Sequence, residues 1–240
     1  MMKVSLFATC LVDQFWPEVA VSTVRLLRRL GCEVTFDRRQ TCCAQPAFNT
    51  GYRDEARKVA RHFLEVFEAA DAVVTPSGSC AAMVHHMSEL FEDDESWQTR
   101  AAAVAEKTYE LGQFLVHRLK VEDVGARFDG KLTWHDACHG LRDLGIRDEP
   151  RRLMQAIEGA ELVEMPGAES CCGFGGTFSV KYPEISVAML DRKLVGVEEL
   201  GVRAMVSGDV SCLMQISGRL ERLKSPIKTL HLAELLDSRG

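Results

Sequence analysis

ESCCGFGG, residues 169–176, sets two adjacent cysteines ahead of three glycines. Adjacent thiols fit poorly with the C-x-x-C spacing of a structural zinc site. A secreted scaffold would instead spread its thiols through a disulfide framework. The pair makes sense once the other cysteines are read outward from it. They stand at 10, 32, 42, 43, 80, 138, 171, 172 and 212. With Cys32 set aside, they form two series, each a single cysteine, a vicinal pair and another single cysteine. Cys10 to Cys42 spans 32 positions and Cys138 to Cys171 spans 33; Cys43 to Cys80 spans 37 and Cys172 to Cys212 spans 40. The flanks repeat as well. VTPSGSCAAM (74–83) matches MVSGDVSCLM (205–214), and YELGQFL (109–115) matches LHLAELL (230–236). The pattern is that of a duplication with its boundary near Gly125–Gly130, giving units 1–127 and 128–240.

The hydrophobic pattern repeats with the cysteines. In the first half KVSLFATC, CEVTFD and DAVVTPS read as strands, and Val19–Leu30, Asp54–Ala69 and Cys80–Leu90 as helices. QTCCAQPAFNTGY (40–52) reads as a loop. In the second half KLTWHDA, AELVEMP and VRAMVSG read as strands, Glu149–Ile157, Pro183–Leu200 and Cys212–Leu223 as helices, and CCGFGGTF as a loop. The acidic start and Ala-rich continuation of residues 91–109 predict a loop feeding an extra helix in the first half. Strands alternating with helices predict an α/β fold: two tandem, pseudo-symmetric, Rossmann-like domains with mostly parallel sheets.

Composition narrows the function. The 240 residues are 46% hydrophobic and carry a formal net charge of −6. With no basic run interleaved with aromatics, nucleic acid is not an expected partner. The N-terminal apolar run is short, broken by Thr9 and Cys10 and closed by Asp13, so it reads as a strand rather than a leader. No segment approaches a membrane span. A soluble, cytoplasmic protein is expected, in which an odd number of cysteines points to ligands or catalysts rather than disulfides.

Cys10, Cys80, Cys138 and Cys212 fall where a predicted strand gives way to a helix, and the vicinal pairs follow each second strand. In an open parallel sheet these positions share the ligand edge. Helix N-termini there favour the thiolate, the form that binds metal. Four thiolates per half suit soft metals, either zinc or an iron–sulfur cluster. Adjacent thiolates serve separate irons better than one zinc, which favours the cluster. Gly173, Gly175 and Gly176 let the backbone close around a bulky group and leave N–H groups free for its sulfurs.

This spacing, with CCGFGG in the second copy, resembles the cysteine-rich CCG domain found in heterodisulfide reductases and in the iron–sulfur component of glycolate oxidase. A chain of two such domains, with HDACHGLRDLGI, CCGFGGTFSVKYPEIS and QTCCAQPAFNTG, resembles more closely the LutA/YkgE (LldE) group. The resemblance implies a component of an iron–sulfur L-lactate oxidation system converting L-lactate to pyruvate. It implies as metal ligands Cys10, Cys42, Cys43, Cys80, Cys138, Cys171, Cys172 and Cys212. It implies a [4Fe–4S] cluster, one or two per chain, and two partners, a LutB-like ferredoxin-type iron–sulfur protein and a LutC-like protein. The chain departs from the fuller family signature, which ends in C-x-x-C: Met83 and Gln215 stand where a fifth cysteine would be. A component of a heterodisulfide-reductase-like disulfide reductase and a cluster-free scaffold therefore stay as alternatives. Ala44 replaces the usual glycine, so the first loop is expected to depart in backbone geometry from the second.

Other residues read more simply. Cys32 is expected to be a buried strand residue, and Met83 and Met214 core. His85 and His86 are expected on an exposed helix face, and residues 92–96 in a solvated loop. GFGG lacks the third glycine of a dinucleotide loop, which would fall on Phe178. His135 and His139 flank Cys138. Local hydrogen bonding or helix capping is expected of both, with His139 kept as a candidate to touch a cofactor or substrate.

Overall fold

A computed structural model describes residues 1–239. The first half runs β1 (Lys3–Leu6), α1 (Cys10–Phe15), α2 (Pro17–Arg29), β2 (Glu33–Thr35), α3 (Gln45–Asn49), α4 (Arg53–Phe67), β3 (Val73–Thr75), α5 (Gly78–His85), α6 (Glu95–Ala105), β4 (Thr108–Glu110) and α7 (Leu111–Gln113). The second runs β5 (Arg127–Trp134), α8 (Cys138–Asp143), α9 (Asp148–Gln155), β6 (Glu158–Leu162), α10 (Thr177–Lys181), α11 (Pro183–Leu194), β7 (Ala204–Ser207), α12 (Val210–Arg222), β8 (Lys228–His231) and α13 (Leu232–Asp237). All strand pairs are parallel, in the orders β2-β1-β3-β4 and β6-β5-β7-β8. The α/β fold with two similar parallel sheets is thus as expected.

Several boundaries differ from the sequence reading. The fourth strands, β4 and β8, are only three and four residues long, too short to show an alternating pattern. The helices expected to begin at Cys80 and Cys212 begin at Gly78 and Val210, because Ser77 and Asp209 cap them. Helix α5 stops at His85 and gives way to a 3-10 segment, Met87–Phe91. The helix expected to reach Leu200 ends at Leu194, ahead of Gly196, which has φ 76°. The first cysteine loop contains a short helix, α3, that starts at Gln45 with Pro46 in its first turn, where a missing N–H costs nothing. In the acidic segment, Asp94 caps α6 by accepting from the Trp97 N–H.

Neighbouring strand residues face opposite sides, so each sheet feeds two cores. Leu6, Val74, Trp134 and Val206 join one central core, while Phe7, Val73 and Met205 turn outward into separate clusters. That central core belongs to both halves. Helix α13 packs on α2 of the first half, and α7 lies against α9 of the second. Arg29 of α2 pins the first crossing, donating to Asp237 Oδ1 (2.9 Å) and the Leu236 carbonyl (2.8 Å). The terminal helices of the two repeats are therefore exchanged across a pseudo-twofold axis. Among the described residues, no helix is long and apolar enough to cross a membrane.

Candidate metal centre

The same axis brings the two ligand edges together. In each sheet the strand order reverses at its first and third strands, and Cys10 and Cys80, like Cys138 and Cys212, lie just beyond those two ends. A crevice opens where such an order reverses. Helix α5 packs on α8 and α1 on α12. The first crossing is close: a Cβ on Gly78 would lie 3.1 Å from Gly140 Cα. As a result all eight paired cysteines line one cavity of about 350 Å³, together with His139, Gly175 and Gly176. Cys32 lies apart, buried in the central core as expected, but just ahead of β2 rather than within it.

Each half gathers its sulfurs in the same way. Cys10 Sγ lies 3.7 Å from Cys42 Sγ, and Cys43 Sγ lies 3.3 Å from Cys80 Sγ. The Cys10 thiol donates to Cys42 and the Cys43 thiol to Cys80; contact with Cys10 and Cys43 holds Cys42 down at about 3, while Cys10 and Cys43 are pushed up by their hydrogen bonds and by burial. In the second half Cys138 and Cys172 donate to Cys171, which is lowered to about 2, and both donors are raised. The Gly173 N–H adds a bond to Cys171 Sγ at 3.3 Å. Each half thus has one thiol held low by its neighbours. Four converging sulfurs form a donor set suited to a soft metal group.

The two loops share one backbone device. Gly173 has φ 84° and Ala44, at the equivalent place after its own pair, has φ 74°. The Ala44 N–H also stabilises the Cys42 thiolate. The expected departure of the first loop at this position is therefore corrected: alanine adopts the left-handed conformation, at a cost of about 1–2 kcal/mol, because the turn aims an N–H at a thiolate. Gly173 could not be alanine as readily, since its Cβ would strike the Ser186 carbonyl of α11. Gly175 is constrained by Phe178, 2.9 Å from its would-be Cβ.

Charge beneath the second loop comes from Lys193. It is buried, and its Nζ donates to the carbonyls of Gly167, Ala168 and Ser170, each at 3.0 Å. Burial lowers its pKa, and the sulfurs of Cys172 and Cys212 oppose that shift. Asp209 links the halves: Oδ1 accepts from Ser211 N–H (3.2 Å) and Oδ2 from Ser79 N–H (2.8 Å), so one carboxylate serves the first turns of α12 and α5. Asp136 binds Arg151 and the Trp134 indole N–H (2.7 Å). His139 behaves as expected, half-exposed at the cavity wall with Nδ1 donating to Asp143 Oδ2 (2.6 Å). His85 is exposed and His86 half-buried.

His135 does not behave as expected. It is fully buried, and neither ring nitrogen has a hydrogen-bond partner among the described residues. One of its nitrogens and the sulfurs of Cys172 and Cys212 all lie within 4.8 Å of one another. Burial lowers its pKa to about 3, so the ring is neutral. Overlaying the two repeats at Cys10 and Cys138 would have singled it out, since Phe7 holds the matching place. Lys193 and Asp209 carry no comparable signal, because the halves bring them to the sulfurs only after folding.

The cysteine-rich CCG domain matches this sequence twice, at residues 4–85 and 132–217. The chain belongs to the CCG family. It is 51% identical over 238 residues to lactate utilization protein A of Geobacillus sp. (strain WCH70), covering 99% of this chain and 100% of that one. It is 50% identical over 238 residues to lactate utilization protein A of Bacillus subtilis (strain 168), again covering 99% and 100%. These relatives place it in the lactate utilization protein A group of CCG proteins. A hypothetical protein from Helicobacter pylori shares the fold, with a TM-score of 0.65 at 11% identity over 98% of this chain. This chain spans about half of that longer one, 48% of its length.

Proposed function

We propose that the protein is the iron–sulfur subunit of an L-lactate-oxidising complex, acting in lactate utilisation in the cytoplasm. The observation that carries this reading is the convergence of eight thiols, as two sets of four, on one cavity. Cys10, Cys42, Cys43 and Cys80 would hold one [4Fe–4S] cluster and Cys138, Cys171, Cys172 and Cys212 a second, each supplying one-electron transfer when bound. The division into units 1–127 and 128–240 then corresponds to one cluster per unit.

Lactate loses two electrons and two protons to become pyruvate, and this chain would carry the electrons. The N–H groups of Ala44 and Gly173 stabilise bound thiolates, and Lys193 offsets their charge from beneath the second loop. Such contacts raise a cluster's potential and hold its ligands in place. Lactate enters from the relatives, which are lactate utilization proteins, and the proposed partners are a LutB-like ferredoxin-type iron–sulfur protein and a LutC-like protein. Val180, Tyr182 and Ile185, exposed beside the second cysteine loop, would be covered when the complex assembles.

The test is anaerobic purification with iron and sulfide counts, followed by EPR on adding L-lactate with both partners present. Eight irons and eight sulfides per chain and a cluster signal that grows with lactate are expected. A protein without iron, or clusters that respond to a disulfide and not to lactate, would overturn the reading.

A further inference from the structure

The second half carries a donor that the first half lacks. The two repeats superpose in hydrogen bonding as well as in sequence: Phe7 N–H donates to the Val74 carbonyl (2.9 Å) and His135 N–H to the Val206 carbonyl (2.8 Å). Both residues lie three positions before the first cysteine of their set and turn to the outer face of their sheet. Phe7 is held there by apolar packing, with its ring 4.9 Å from Phe63 and 5.6 Å from Phe67, edge to face. The fold therefore accepts a hydrocarbon ring at this site. His135 puts two polar nitrogens in the same place; neither makes a hydrogen bond of good geometry, and the Ala168 carbonyl beside the ring could satisfy only one of them. An unpaired buried polar group costs about 1–3 kcal/mol. An imidazole is unfavourable at such a position unless something outside the polypeptide binds it.

The geometry points to His135 as a nitrogen ligand at the second site, bound beside Cys172 and Cys212 in place of one of the four thiolates of that half, so that the second site has a mixed nitrogen–sulfur donor set and the first, with Phe7, an all-sulfur one. One ring nitrogen lies in the same 4.8 Å group as the sulfurs of Cys172 and Cys212. The ring also lies beside the Ala168 carbonyl, and a ligating histidine commonly directs its second N–H to a carbonyl of this kind. His139 lines the same cavity, but its Nδ1 is taken by Asp143, which leaves only Nε2 to compete with His135. Replacing thiolate character with a neutral imidazole raises a cluster's potential. The two sites would then differ in potential, which gives electrons a direction across the shared cavity.

The inference rests on the proposed function only for the identity of the metal, and the test separates the two. Protein labelled with 15N-histidine is purified anaerobically, reduced, and examined by pulsed EPR, alongside His139→Gln and His135→Phe. A histidine nitrogen coupling is expected in the wild type and in His139→Gln, and its loss in His135→Phe, with the potential of one cluster lowered and the other unchanged. Bound iron without a histidine coupling overturns the inference, and the wild type alone decides this if the His135→Phe variant does not fold. If the protein binds no iron, the iron–sulfur reading fails first, and Co²⁺ added to the reduced protein decides the ligand question. A histidine coupling to the bound cobalt supports His135 as a ligand; its absence, or a failure to bind Co²⁺, overturns it.

Discussion

At the residue scale, the comparison between halves says what each position is for. Cys171 and Cys42 are the acceptors of their thiol networks, whereas Cys32 is only packing. Cys171→Ser is expected to lower the iron content by about half with the fold retained, and Cys32→Ser to leave it unchanged; iron analysis and circular dichroism check both. Ala44 shows that the left-handed turn by itself tolerates a methyl group. Gly173→Ala should therefore fail for a different reason, the contact with the Ser186 carbonyl. A loss of stability on the order of 2 kcal/mol is expected, larger than that for Gly176→Ala, which has φ 62° but open space around it. Equal losses for the two variants in urea denaturation would show that the Ser186 contact adds nothing to the backbone strain.

At the element scale, the helices that carry Cys80 and Cys212 are positioned by a shared cap. Asp209→Ala removes an acceptor from both first turns and leaves part-buried N–H groups unpaired, for an expected loss of about 2 kcal/mol. Ser77→Ala disturbs α5 alone and should cost about 1 kcal/mol. The short fourth strands end in capping residues too. Glu110 accepts from the N–H groups of Gly112 (2.6 Å) and Gln113 (3.2 Å) at the start of α7. Burial raises its carboxyl from 4.5 to about 8. Between those values the folded protein keeps a proton that the unfolded chain has released, so Glu110 costs stability increasingly as the pH rises through that window and levels off above it. Glu110→Gln should remove this slope. Its unfolding midpoint, set against that of the wild type from pH 6 to 9, is expected to gain steadily and then level off above pH 8.

At the scale of the whole molecule, the two repeats are one cooperative unit. Removing residues 232–240 strips α13 from α2 and uncovers Val19, Leu26 and Leu27 of the central core. The truncated chain is expected to lose both halves together, seen as the collapse of a single cooperative denaturant transition rather than the survival of the first half. Nothing in the local pattern of the chain announces this coupling. The repeat, the strand–helix alternation and the edge on which the thiols gather are all legible, because local pattern carries them: apolar periodicity sets the elements, and parallel order sets where strand ends lie. The exchange of α7 and α13 is not legible, because both helices are apolar on the face they bury whichever half receives them. Nor do β4 and β8 stand out as strands, being too short for a period to register. His135 reads in the sequence as an ordinary local hydrogen-bonder, because its lack of partners appears only when the chain closes around it.

The amino-acid sequence by itself thus determined that there are two copies of one four-thiol device on two α/β units, since spacing and periodicity are properties of the chain alone. Tertiary structure decided that the two devices share a cavity, that Asp209 caps a helix in each half, that Lys193 lies under one loop and that His135 stands unpaired beside Cys172 and Cys212. Those facts depend on residues distant in sequence meeting across a pseudo-twofold axis. Which face meets which is settled by the burial of both halves in one core.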